Sequence, residues 1–322
     1  MGTSNTYVLF HGDSDGVCGA AQVLMVNPNV ELRITKPSKL FIDLEHIPLK
    51  SKIIIIDLAL DNQTYHGILY KFKEIIQSGG EIIYIDHHKL PPQLGYENIN
   101  NLVKYVYEEG VSASELTNRA FNLESNTWAL TLAYYGAFAD YLDNTSLMEK
   151  VLKKVDRRNL IFEASLLSTA LEIMDVYMKI KVTKDLASGL KPSEIQYVSL
   201  NALLGLYYEN QIYKYVEKNS KRVGPLSIVI NPPYQGFLGR AATYAMNFND
   251  SPFGLAARYE KDTVDISIRS KINTVDLSRI ASDLAKQFGG NGGGHSVAAG
   301  MRIPIEIFDK FLETLVSTLN KI

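Results

Sequence analysis

Three residues capable of chemistry, Asp86, His87 and His88, close the apolar run Ile82-Ile83-Tyr84-Ile85. A carboxylate beside paired imidazoles suits a divalent transition metal such as Mn, Zn or Fe; a solvated turn after a strand is the plain alternative. Near the start of the chain, His11-Gly12-Asp13-Ser14-Asp15-Gly16 places an imidazole and two carboxylates in a short polar stretch. Asp, Ser and Gly are also the commonest turn formers, and a calcium loop fits poorly because the further acidic ligands of an EF-hand are missing. Asp57 terminates Ile53–Ile56 in the same abrupt way, and Asp140 and Asp143 stand among apolar and aromatic neighbours in 134–143. That last stretch reads equally as a helix end with solvated acids.

The elements that must position these residues follow from periodicity. Continuous apolar runs without polar alternation predict strands buried on both faces, as in a parallel sheet. Such runs occur at 7–10, 53–56 and 82–85, with further strand-like stretches at 30–34 and 103–107, helical spacing at 17–25 and 62–78, and a stop at Gly79-Gly80. Strand–helix–strand in this order is a right-handed parallel crossover. Asp13 and Asp15, Asp57, and Asp86 with His87 then all fall at the C-terminal ends of strands, where open α/β sheets bind ligands. Val111-Ser112-Ala113-Ser114-Glu115 opens a helix with good capping chemistry, and such an N-terminus is able to receive a phosphate. The chain is largely helical from there to about residue 220, with basic clusters at 153–158 and 214–222 that read as solvated faces or as a nucleic-acid track.

Ser220 to Pro225 reads as a linker, followed by strands at 225–230, 255–258 and 263–269 and a helix at 276–288. Five glycines within 289–294 precede His295 and the compact Ala298-Ala299-Gly300. A glycine-rich stretch lets backbone amides approach an anion closely; a flexible linker is the other reading.

Composition narrows the function. A chain of 322 residues is long enough for two domains, and 46% hydrophobic with 21% charged residues is ordinary for a soluble globular protein. A formal net charge of −2 supplies no global positive field for long nucleic acid, yet permits a small phosphorylated substrate if bound cations provide positive charge. Cys18 stands alone, so no intramolecular disulfide forms. No signal-peptide stretch or membrane-spanning run is present, and the expectation is a cytoplasmic protein.

Taken together, HGDSDG (11–16), IIIID (53–57), IDHH (85–88), FADYLD (138–143) and SIRS…GGNGGGHSVAAG (267–300) resemble the DHH phosphoesterase superfamily with its DHH-associated C-terminal domain. The resemblance covers nearly the whole chain. It implies an α/β protein with an N-terminal parallel-sheet metal domain (1–185), a helical linker (186–224) and a smaller α/β substrate-binding domain (225–322). It implies that Asp13, Asp15, Asp57, His87 and Asp140 hold two Mn²⁺ ions, with Mg²⁺ or Co²⁺ as substitutes and Asp57 bridging. His11 lies two residues before Asp13, whereas several members place a histidine four residues before it, so its ligand role is left open. His88 is implied as the phosphate-contacting catalytic residue, with Asp143 behind the ligands. Arg269, His295 and the amides of Gly292, Gly293 and Gly294 are implied to hold the substrate. Two divalent ions would bracket an in-line displacement at phosphorus. The expected activity is hydrolysis of short RNA or DNA oligonucleotides from one end, or of 3′-phosphoadenosine 5′-phosphate. A RecJ-like exonuclease is the runner-up, a family II pyrophosphatase fits less well, and an inactive replication-associated scaffold is the alternative of another class. No membrane partner is expected, and a homodimer is left open.

Overall fold

The computed structural model describes residues 6–60, 64–91, 93–234 and 236–322, with the side chain of His295 outside that description. The chain divides into two compact units, residues 1–205 and 206–322.

The first unit runs β1 Thr6–His11, α1 Ser14–Val26, β2 Glu31–Thr35, α2 Leu40–Glu45, β3 Lys52–Ile56, α3 Tyr65–Gln77, β4 Glu81–Asp86, α4 Tyr96–Asn100 and β5 Lys104–Tyr107. Then come helices α5 Ala113–Ala120, α6 Thr127–Ala139, α7 Ser146–Leu152, α8 Arg157–Ile173, α9 Val176–Ala187 and the long α10 Gln196–Asn219, which crosses the division. Asn62 and Gln63, at the start of the helix expected over 62–78, lie outside the described residues.

The five strands form one sheet in the order β2-β1-β3-β4-β5, and every pairing is parallel. The four isoleucines of β3 show why the sequence lacked alternation: all are fully buried, on opposite faces. Ile54 and Ile56 pack with Val8, Phe10 and Val17 on the α1 side. Ile53 and Ile55 pack with Leu9, Leu40 and Phe72 on the α2 and α3 side. A strand covered by helices on both faces needs apolar residues at every position. The strand order reverses direction between β1 and β3, so a crevice opens at their C-terminal ends.

The second unit runs β6 Lys221–Val223, β7 Leu226–Ile230, α11 Leu238–Phe248, β8 Phe253–Tyr259, β9 Thr263–Ser270, α12 Leu277–Gln287, β10 Asn291–His295, β11 Ala298–Pro304 and α13 Phe308–Leu319. Its sheet is mixed, ordered β10-β11-β9-β8-β7-β6, with only β7 and β8 parallel. Leu255, Ile266, Ile268 and Met301 form its core with Leu284, Phe311 and Leu315 from α12 and α13.

Two stretches differ from expectation. Ser220 to Pro225 is no linker, because Lys221–Val223 pairs antiparallel with β7 through a turn at Gly224, where φ is +61°. The glycine-rich stretch is an edge strand, β10, rather than a linker. Glycine is required there by packing: a Cβ on Gly292 would lie 2.4 Å from the Ala281 carbonyl oxygen of α12. Among the described residues, no helix is long and apolar enough to cross a membrane.

Candidate metal centre

Asp13 and Asp57 stand just past the ends of β1 and β3, Asp15 in the first turn of α1, and Asp140 at the C-terminal cap of α6. Asp13 caps α1, accepting from the Gly16 amide at 3.2 Å, and a Cβ on Gly16 would lie 2.3 Å from the His11 carbonyl oxygen. The turn therefore closes only with glycine at that position. Asp15, fully buried in the first turn of α1, accepts from the amides of Ala113 and Ser114 at 2.7 and 2.8 Å. The start of α5 thus points its free amides and positive dipole end at a carboxylate of this chain. This corrects the expectation that this N-terminus receives a phosphate: its amides already have an anion.

Asp57 follows β3 with φ 58°, a left-handed conformation that costs an L-residue roughly 1–2 kcal/mol. Its amide donates to Ile85 O at 3.0 Å, which fixes the bend. Both of its carboxylate oxygens are buried without a hydrogen-bond partner, and so is His87 Nε2. His87 Nε2 lies 3.4 Å from Asp57 Oδ1, 3.6 Å from Asp140 Oδ2 and 3.7 Å from Asp15 Oδ2. His11 Nδ1 lies 2.6 Å from Asp13 Oδ2 and 3.6 Å from Asp57 Oδ2. Three ligand groups result: His11, Asp13 and Asp57; Asp15, Asp57, His87 and Asp140; and Asp57, His87 and His88. Asp57 belongs to all three. Buried, unpartnered carboxylate and imidazole atoms in overlapping groups fit a divalent cation pair, since buried charges are otherwise paired or neutralised.

The electrostatics agree. Burial, with Asp13 and Asp15 nearby, pushes the Asp57 carboxyl far above its ordinary range. Burial and the neighbouring Asp15, Asp13 and Asp57 raise Asp140 to about 9, and burial raises Asp15. Burial alone would lower His11, but Asp13 and Asp57 overcome it and raise the imidazole to about 11. Burial would raise Asp13, and His11 reverses this and holds it below the usual carboxylate range. Three carboxyls that resist ionising together are poised to exchange protons for a cation.

Asp86 is not among the ligand groups, although its place in Asp-His-His suggested metal binding. Its buried carboxylate faces His88 Nδ1 at 2.8 Å and accepts from the Tyr84 hydroxyl at 3.2 Å. Burial would lower His88, but the bond to Asp86 raises it. A carboxylate on one ring nitrogen fixes the imidazole's orientation, and the same Nδ1 lies 3.8 Å from Asp57 Oδ1. Asp143 also stands apart from the ligand groups, accepting from the Tyr134 hydroxyl at 3.2 Å. Sequence reasoning missed Lys179, whose Nζ donates to Gly12 O at 2.6 Å and braces the His11–Asp15 turn. A lysine on an amphipathic helix carries no signal of such a contact.

In the second unit, half-buried Arg269 extends from β9 and donates to Ser267 Oγ and Ile268 O at 2.9 and 3.0 Å. No carboxylate of a described residue pairs with it, and burial lowers its pKa. A Cβ on Gly239 would lie 2.1 Å from its Nη2, so glycine in α11 makes room for the guanidinium. Gly293 and Gly294 stand in β10; a Cβ on Gly293 meets nothing within 4 Å. The His295 side chain lies outside the described residues.

Residues 234–321 match the DHHA1 domain family. In solved structures, the pGpG-specific phosphodiesterase PggH from Vibrio cholerae superposes over 98% of this chain and 99% of its own, at 13% identity and TM-score 0.60. The chain has the DHH–DHHA1 fold. RecJ from Thermus thermophilus in complex with Mn²⁺ matches over 98% of this chain at 14% identity and TM-score 0.68. The present chain spans 52% of that RecJ. A DHH domain described as a member of the S1p family of ribosomal proteins matches over 99% of this chain and 87% of its own, at 16% identity and TM-score 0.71. No curated protein matches the chain in sequence.

Proposed function

We propose that this protein is a two-metal phosphodiesterase acting on short oligonucleotides, with Mn²⁺ as its cation and Mg²⁺ or Co²⁺ as substitutes. The observation that carries this reading is Asp57, shared by three ligand groups with both oxygens buried and unpartnered. Asp13, Asp15, Asp57, His87, Asp140 and His11 would hold the ions. Bound there, a divalent pair supplies positive charge to the phosphate oxygens and acidifies the attacking water.

The chain's own residues do the rest. Asp57 joins the His11–Asp13 side of the site to the Asp15–His87–Asp140 side, so both halves are fixed by one rigid bend. His88, oriented by Asp86, whose hydrogen bond raises its pKa, would contact the scissile phosphate and is the residue placed to assist charge stabilisation or proton transfer. Arg269 offers a guanidinium with no carboxylate partner among the described residues, able to take a phosphate through two parallel hydrogen bonds. Gly292 to Gly294 and His295, on β10 two strands away in the same sheet, are further residues to test for substrate contact.

The likeness to a phosphodiesterase named for pGpG, over 99% of that chain, supports short substrates, although a RecJ bound to manganese is also covered to 90% of its chain. A net charge of −2 points the same way, because a long-strand exonuclease needs basic surface. The deciding experiment is Mn²⁺-dependent hydrolysis of a dinucleotide, a 5-mer RNA, a 20-mer single-stranded DNA and 3′-phosphoadenosine 5′-phosphate side by side. Preference for the dinucleotide, 5-mer or mononucleotide is expected. Preference for the 20-mer moves the protein to the RecJ-like class, and inactivity without bound metal leaves a scaffold.

A further inference from the structure

Next to the metal centre, outside the ligand set, the first unit carries a stack of tyrosines. Parallel register sets Tyr84 of β4 opposite Tyr105 of β5, and Asp86 opposite Tyr107. Because side chains alternate along a strand, all four project from one face. The rings of Tyr84 and Tyr105 lie 5.0 Å apart at 26°, and those of Tyr105 and Tyr107 lie 5.3 Å apart at 23°. Tyr96, from α4, joins at 5.3 Å from Tyr105 and 6.4 Å from Tyr107. Near-parallel rings at these separations hold one another rigidly.

The stack opens outward. Tyr84 is fully buried and Tyr105 is 4% exposed, but Tyr107 is only half-buried and Tyr96 is 39% exposed. Strand β5 is the last of its sheet, and among the described residues no further strand pairs with its outer edge. The stack ends beside the chemistry: Tyr107 stands one strand spacing, about 4.8 Å, from Asp86, whose carboxylate holds His88 at 2.8 Å. Two carboxylates follow Tyr107. Glu108 accepts from Arg119 at 2.8 Å, and Glu109 lies 3.6 Å from Lys89. In these two pairs each charge is met by its opposite, which offers a phosphate no unpaired cation there and leaves a neutral, flat ligand as the class that fits the rings.

We propose that Tyr107, backed by Tyr105 and flanked by Tyr96, stacks a nucleobase of the substrate next to the scissile phosphate. The inference rests on the phosphodiesterase reading and adds a base-binding position to it. An aromatic face accepts any base, because every base has a π-face. The stack gives the enzyme grip on a nucleoside without sequence preference.

The test uses the Mn²⁺-loaded protein and a dinucleotide carrying 2-aminopurine at each position in turn, with a methylene replacing the scissile ester oxygen. Stacking quenches 2-aminopurine fluorescence. Wild-type protein and Tyr107→Phe are expected to quench it, while Tyr107→Leu, which keeps apolar volume but loses the π-face, is expected to bind about ten-fold more weakly with the quench lost. In hydrolysis, the kcat/KM ratio of a base-bearing over an abasic dinucleotide is expected to fall by a similar factor in Tyr107→Leu. Unchanged quenching and an unchanged ratio in that variant overturn the stacking site. If wild-type protein cleaves neither dinucleotide yet quenches through Tyr107, the base position stands and the hydrolytic reading falls.

Discussion

Asp57 concentrates the demands of this site in one side chain: a left-handed backbone, two unpartnered buried oxygens and membership of every ligand group. Asn is isosteric and tolerates the same φ, so Asp57→Asn separates charge from shape. Metal analysis of that variant, and of Asp57→Ala, is expected to show fewer than two ions per chain and turnover near background. Retention of two ions and full activity would remove Asp57 from the bridging role. Asp86→Asn addresses a different link, the orientation of His88; kcat is expected to fall about 10–100-fold while metal content stays at the wild-type level. Asp86 shows where the sequence was ambiguous. Spacing alone does not say which of the three meets an ion: His87 and His88 share a group with Asp57, while Asp86 turns to His88 Nδ1. The ligand carboxyls also set a pH dependence for the metal-free protein. Asp140 is raised to about 9 by burial and its acidic neighbours, against about 3.9 in an unfolded chain. The folded state therefore binds more protons between these values, and its stability falls as pH rises through that window. Asp57 and Asp15 shift in the same direction. Thermal unfolding in EDTA is expected to show Tm declining from pH 5 to pH 9, with Mn²⁺ raising Tm more at pH 8 than at pH 6. A flat metal-free profile would mean the acids are not crowded as described.

Helix α6 makes an element-level demand that no residue pattern announced. It is buried almost along its length, and Gly136 is the point at which it meets the site: a Cβ there would lie 2.2 Å from Ser114 Oγ and 2.7 Å from Asp15 Oδ1. Ala is normally favoured over Gly inside a helix by about 1 kcal/mol. Here the added methyl would push α5 and the Asp15 carboxylate it holds, so Gly136→Ala is expected to lower both Tm and Mn²⁺ affinity. Gly293→Ala, where a Cβ meets nothing within 4 Å, is the matched control and is expected to leave Tm unchanged. The parallel strands were legible because runs such as Ile53–Ile56 are apolar at every position, which only burial on both faces explains. The edge strand β10 was not legible, because glycines are depleted in strands and read as coil. Their presence comes from the close approach of α12, a tertiary contact that has no periodicity to read. The amides of α5 were misread for a related reason: capping chemistry marks a free helix start but does not say which anion fills it.

Across the whole molecule, every ligand of the proposed metal centre, together with the tyrosine stack, lies within residues 1–205, while Arg269 and the glycines of β10 lie within 206–322. Each unit has a core of its own: Val198 and Ala202 of α10 pack into the first, and Leu226, Phe253 and Phe311 into the second. The proposed metal centre and the proposed substrate grip are thus separable in sequence, and separable in experiment if each core suffices to fold its unit. A protein ending at residue 205 is expected to bind Mn²⁺ with two ions per chain by calorimetry, at an affinity within a few-fold of the full chain, because none of its ligands has been removed. The same fragment is expected to hydrolyse a dinucleotide poorly, through a raised KM, and Arg269→Ala in the full chain is expected to reproduce much of that KM rise with a smaller effect on kcat. Loss of metal from a folded 1–205 fragment would show that the second unit supplies a ligand, and the assignment of the centre to the first unit would then be wrong. Full dinucleotide activity in the fragment would instead leave Arg269 and the glycine strand without a part in the reaction.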